Sequence, residues 1–181
     1  MRFTSPFLLL ISVLIFFSGC KNKDIEPRNQ ILKEGLSYEL DKAALVGYGK
    51  MNEGDSGYSL HLYLMSPDVS IAGRNEVPDS LVGKGHLLSF SMFSSSEREL
   101  VPGTYQFDGF DTANPETFGN AYTVFNVNYT TKTGNENKLI AGKVIVNRNG
   151  DTYKIDFDAV DDTGKKLNGH YTGVVSYFKG N

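Results

Sequence analysis

The chain has 181 residues, a formal net charge of −3, 12% aromatic residues, no Trp and one Cys. That length suits one domain with short appendages, and mild acidity without a basic stripe argues against a nucleic-acid partner, which needs concentrated Lys and Arg to neutralise phosphates. A lone Cys forms no internal disulfide, so the domain must be stable without one.

At the N-terminus Arg2 supplies a positive charge, and Phe7 to Phe17 is an apolar run broken only by Ser12 and closed by Ser18-Gly19. This is the three-part pattern of a secretory signal. The run ends at Lys21-Asn22-Lys23-Asp24, short of the roughly 20 apolar residues a spanning helix needs. Cys20 follows Ser18-Gly19 directly. The placement resembles the bacterial lipobox, with Phe17 standing where that motif usually has Leu. The resemblance implies a lipoprotein signal peptide over 1–19 and lipidation of Cys20 on sulfur and on its new amino group by palmitate-type chains. One acyl chain binds a bilayer weakly and two or more hold firmly, so the expected product is anchored to a membrane. Residues 20–35 are charged, lack strand alternation and read as a flexible tether. Ile31 and Leu32 suit at most a short helical turn there, bracketed by Pro27 and Gly35.

Residues 36–181 read as a single all-β domain. Ala43 to Lys50 and Gly57 to Ser66 are strands joined by Asn52-Glu53-Gly54-Asp55-Ser56; the second puts Tyr58, Leu60, Leu62 and Leu64 on one face, and Ser59, His61 and Tyr63 on the other. Ser66 to Gly85 reads as a long connection with Pro67, Gly73, Pro78 and Gly83. Gly85 to Ser95 is a strand, Val101-Pro102-Gly103-Thr104 suits a type II turn, and Thr104 to Phe110 is the next strand. Asp111 to Asn120 reads as a loop and Ala121 to Thr131 as an alternating strand.

Two turns fix the C-terminal third. Asn149-Gly150 is a strong type I′ hairpin signal, and a two-residue loop there pairs Val146 with Tyr153, Val144 with Ile155, Gly142 with Phe157 and Ile140 with Ala159. Asp162-Thr163-Gly164 suits a three-residue loop with Gly164 left-handed. It pairs Ala159 with Leu167, Phe157 with Gly169, Ile155 with Tyr171 and Tyr153 with Gly173. Both turns yield one apolar face, with Phe157 between Gly142 and Gly169.

Sequential antiparallel strands without helical crossovers imply a meander of about eight or nine strands, closed as a β-sandwich or a barrel, with a lipocalin-like barrel as the alternative. The chain also resembles uncharacterised β-rich outer-membrane lipoproteins of the Bacteroidetes type, in Ser18-Gly19-Cys20, Leu100-Val101-Pro102-Gly103-Thr104-Tyr105, Asn149-Gly150-Asp151-Thr152-Tyr153 and the run Gly164 to Gly173. That resemblance implies a lipid-anchored protein of the outer membrane in the cell envelope, with the surface or periplasmic face left undecided. Asp79-Ser80-Leu81 and Asp111-Thr112-Ala113 look like that group's O-glycosylation triplets, making Ser80 and Thr112 candidate glycosylation sites.

The residues carry little catalytic chemistry. His61, His86 and His170 sit on separate strands without metal-ligand spacing, so neither a metal nor a cofactor is expected. In the register above His170 faces Asp156, which faces Lys143; a solvated polar row is the simpler reading, because no strained nucleophile turn accompanies it. Ser94-Ser95-Ser96 reads as a strand end, and Asp156, Asp158, Asp161 and Asp162 lack a calcium loop's spacing. Gly83-Lys84-Gly85 is no phosphate loop. The expected protein is therefore no enzyme, with a hydrolase kept as a remote alternative. It is a binding or display module using its long loops on a glycan, a hydrophobic ligand or an envelope protein, or else a structural subunit of an envelope complex. Tyr63 and Tyr122 are the residues able to stack on a sugar.

Overall fold

Apolar alternation at period two becomes eleven strands in the computed structural model, which describes residues 27–74, 77–109 and 112–180. They are β1 (Gln30–Lys33), β2 (Leu36–Glu39), β3 (Lys42–Gly49), β4 (Tyr58–Met65), β5 (Val69–Arg74), β6 (Val77–Ser94), β7 (Gly103–Phe107), β8 (Thr117–Asn128), β9 (Thr133–Asn149), β10 (Thr152–Asp161) and β11 (Lys166–Lys179). Among the described residues no helix is long and apolar enough to cross a membrane. Cys20 and the signal read over 1–19 lie outside the described residues.

Eight strands close a mixed barrel. β3, β4, β6, β8, β9, β10 and β11 follow one another around it as an up-and-down meander. An odd number of alternating strands must meet its own start in parallel. β11 accordingly runs parallel to β3, pairing Val175 with Ala43 and Tyr177 with Leu45. Short β7 makes the eighth strand, wedged between β8 and β9, parallel to the first and antiparallel to the second. The barrel is thus favoured over the sandwich by full closure, which leaves its wall without a free edge.

Its interior is a packed, mainly apolar core. Leu62, Leu88, Phe90, Phe118, Val144 and Ile155 are completely buried, and Phe90 meets Phe118 edge to face with centroids 5.4 Å apart. Burying such side chains contributes about 1.5–3 kcal/mol each.

The hairpin of β10 and β11 has the register expected from its turn, with Phe157 on Gly169 and Ile155 on Tyr171, and Gly164 takes φ +80°. The β9–β10 hairpin is displaced by two residues from its expectation. Its loop is Gly150-Asp151, only Gly150 is left-handed, and Val146 pairs with Ile155, Val144 with Phe157 and Gly142 with Ala159. A shift of two keeps every side chain on its face, so the apolar set survives. Phe157 therefore lies between Val144 and Gly169, and Lys143 faces Asp158 instead of Asp156. The same shift replaces the last expected pair, and a bulge opposite Val160 and Asp161 then puts Leu139 instead of Ile140 against the buried Asp161, leaving Ile140 51% exposed. Gly103 is another correction, since it opens β7 opposite Val146 without the positive φ of a type II turn. Its motif instead builds a clasp, in which the buried Tyr105 hydroxyl donates to the Val101 carbonyl at 2.9 Å.

Three strands lie outside the barrel wall. β1 and β2 form a hairpin where a tether and a helical turn were expected, with β1 antiparallel to β11 and Ile31 fully buried. Ile31 and Lys33 alternate inward, and four residues suffice to close one barrel end. Tyr38 of β2 packs on Phe125 and His86 at 4.1 and 4.8 Å between centroids. Lys33 Nζ sits 2.5 Å from Asp161 Oδ2 and donates to Asn137 Oδ1 at 3.1 Å. β5, with the first part of β6, forms the third departure, a hairpin over 69–82 where a long loop was expected.

Candidate ligand-binding site

Since the barrel interior is filled, an open surface must come from its outer wall. The faces of β3, β4, β6 and β8 that point outward carry Ala44, His61, Tyr63, Met65, Leu87, Tyr122 and Val124. Tyr63 pairs with Ser89 and Ser89 with Tyr122, which aligns the two tyrosines singled out in the sequence on one cross-strand row. A second hydrophobic cluster forms here, distinct from the interior, from Ala44, Met65, Val69, Leu87, Val124 and Val127.

The β5–β6 hairpin lies over this wall as an arm. It leaves the barrel at Gly83 and Gly85, with φ +99° and +145°, where a Cβ would collide with the Asp68 carbonyl and the Ser66 hydroxyl. Only glycine permits that crossing. Ser66 Oγ then accepts from His86 N at 2.9 Å, and Tyr129 N donates to the Gly83 carbonyl at 3.0 Å, fixing the base of the arm. Ile71 and Leu81 of the arm pack on the wall.

Cavities open on both sides of Leu81. One of about 200 Å³ is lined by Tyr48, Tyr63, Ile71 and Pro78; the other, of about 320 Å³, by Tyr122, Val124, Val127, Tyr129, Lys132 and Glu136. A β-bulge makes the second cavity. Asn126 takes φ +53°, the β8–β9 register slips between Phe125 and Asn128, and the alternation reverses. Phe125 therefore points into the barrel, whereas Val127 and Tyr129 join Val124 on the outside. Plain alternation groups Phe125 with Val127 and Tyr129, and this is why sequence reasoning missed Tyr129. The bulged Asn126 N–H donates to His86 Nδ1 at 3.3 Å, so that nitrogen carries no proton, and burial lowers the His86 pKa.

The tyrosine hydroxyls are held neutral. Burial, then the neighbouring Tyr122 and Tyr48, raises the Tyr63 pKa; burial, then Tyr122 and Glu136, pushes Tyr129 up to about 12. Burial likewise raises Tyr122 against a side-chain hydrogen bond with Ser89. Neutral phenols both donate and accept hydrogen bonds. His61 packs against Tyr48 with tilted rings, 4.7 Å between centroids, and its pKa is lowered by burial.

The remaining candidates are engaged structurally. His170 Nδ1 lies 2.6 Å from Asp156 Oδ1 and Nε2 2.7 Å from Thr172 Oγ1, leaving neither ring nitrogen available to a substrate. Lys143 is not part of that row. Ser94 Oγ donates to the Glu99 carbonyl at 2.8 Å. Asp161 Oδ1 accepts from Thr163 N, Thr163 Oγ1 and Lys165 N at 2.7–2.9 Å; despite burial, which opposes ionisation, Lys33 and these donors hold its carboxyl well below the usual range. Among the described residues no group of His, Cys, Asp and Glu could hold a metal ion. Ser80 is exposed on the arm, and exposed Thr112 donates to Asp108 Oδ2 at 2.8 Å. The loop after Thr112 is tied down too, with Gly57 N on the Ala113 carbonyl and Ser56 Oγ on Asn114 Oδ1. The 66–85 stretch thus reaches the candidate site as paired strands, whereas 112–120 lines neither cavity. No family model, no curated protein and no solved structure matches the chain.

Proposed function

We propose that the protein is a lipid-anchored outer-membrane lipoprotein of the cell envelope, held through Cys20, and that it works as a non-enzymatic binding module resembling the Bacteroidetes-type group. The observation that carries the binding reading is the tyrosine-lined outer wall with cavities on either side of the arm. Packed cores leave no such space, and pockets that combine aromatic walls with a few polar groups are the usual form of a ligand site. The engaged His170 counts against the hydrolase alternative. Partners on this reading are the membrane, through the covalent lipid, and an amphipathic envelope ligand.

A structural subunit of an envelope complex is the second reading. It is favoured by β2, which pairs only with β1 and leaves an edge for another strand. Two experiments test these proposals. Replacing Cys20 with Ser should abolish acyl labelling and release the protein from membranes; unchanged labelling sinks the anchor. Incubating the anchored protein with solubilised envelope material should slow amide exchange over 69–83 and 122–136. Protection confined to β2 supports the structural-subunit reading, and none in either region removes both.

A further inference from the structure

We infer that the cavity on the β8–β9 side of the arm, walled by Tyr122 and Tyr129 and bounded by Lys132 and Glu136, binds a neutral saccharide unit. This rests on the binding reading above and names its ligand class.

Size comes first. About 320 Å³ is at the small end of ligand pockets, enough for one or two sugar rings and too small for a folded peptide segment. Lipids are disfavoured by the same geometry, because the enclosed apolar space they need is already filled by Leu62, Leu88, Phe90 and Phe118. Chemistry then selects among small ligands. A pyranose has an apolar C–H face and a rim of hydroxyls, and this cavity has both complements. Val124 and Val127 make an apolar floor, and the tyrosines supply rings and neutral hydroxyls. Glu136 accepts hydrogen bonds and Lys132 donates them. One carboxylate and one ammonium leave no net charge to favour an anionic or a cationic ligand.

The backbone shows a built site. Asn126 at φ +53° and Lys132 at φ +54° are two of only four non-glycine residues with positive φ among those described, and both flank this cavity. Strained residues persist where surroundings hold them, and they concentrate at ligand sites. Here the Asn126 bulge is what brings Tyr129 beside Tyr122, and Lys132 shapes the turn that closes the far wall.

The test uses the full-length protein in detergent, titrated by calorimetry with neutral hexasaccharides of glucose, mannose and N-acetylglucosamine, and with an oligouronate and a fatty acid as contrasts. At least one neutral hexasaccharide should bind saturably. Tyr122→Ala should weaken it at least tenfold, and Tyr129→Phe and Glu136→Gln, which spare the packing, several-fold. Met51→Ala, at an exposed site that lines neither cavity, should leave affinity within twofold. Preference for the oligouronate or fatty acid, or binding indifferent to all three pocket variants, overturns the inference. So does the absence of any saccharide binding; envelope-induced protection at 122–136 would then still uphold the wall as a binding surface, whereas its absence takes down both.

Discussion

The barrel interior and the outer wall beneath the arm are both hydrophobic clusters on the same strands, yet they are finished differently. Inside, Leu, Phe and Val interlock with full burial and few polar atoms. Outside, tyrosines, a histidine and buried serines share the surface with Met65, Leu87 and Val124, and space remains beside Leu81. A saturated cluster gives stability and has no capacity for a ligand. The incomplete one gives up some packing and keeps room for chemistry.

That contrast can be broken most strongly from inside. Phe157→Ala should cost about 3–5 kcal/mol in urea denaturation, because Gly169 beside it offers no side chain to fill the hole. A cost below 1 kcal/mol would mean the interior relaxes freely.

Next comes the ion pair beneath the β1–β2 hairpin. Asp161→Asn should destabilise by about 3 kcal/mol at neutral pH, since it leaves the buried Lys33 ammonium without its counter-charge. The sign of its pH dependence follows from the depressed pKa. Stabilisation is complete above the unfolded carboxyl value of about 4 and falls away as pH drops below it toward the lower folded value. Melts of wild type and variant from pH 7 to pH 2 should therefore converge in acid. A constant gap would contradict the assignment.

Smaller effects belong to the wall. Leu81→Asp should cost about 1–2 kcal/mol, the burial of one half-covered side chain, and should raise exchange over 69–82 while the barrel amides stay protected. Loss of protection throughout would show that arm and barrel form one cooperative unit. Tyr129→Phe should shift stability by no more than about 0.5 kcal/mol. A larger loss would make its hydroxyl a structural group, removing it from the list of ligand contacts.

Much of the fold was legible because short-range chemistry specifies it. Gly164 after Asp162-Thr163 set the β10–β11 register pair by pair, and alternation separated Leu60, Leu62 and Leu64 from His61 and Tyr63. Less of the site was legible. Tyr63 and Tyr122 could be named from the sequence, but their alignment through Ser89 depends on partners 26 and 33 residues further along the chain. Tyr129 was hidden by the Asn126 bulge, whose stabilising contact comes from His86 on another strand.

By itself, then, the sequence determined most strands of the barrel wall, the β10–β11 register and most of the apolar faces, because backbone sterics at turns and a two-residue period act within a few residues. Tertiary structure decided the rest. An odd meander had to close in parallel, Gly83 and Gly85 let the 66–85 stretch fold back as an arm, and 30–39 became a lid because Ile31 and Lys33 found partners on β11 and at Asp161. Each of those outcomes depends on pairing energies between distant strands, which no local window contains.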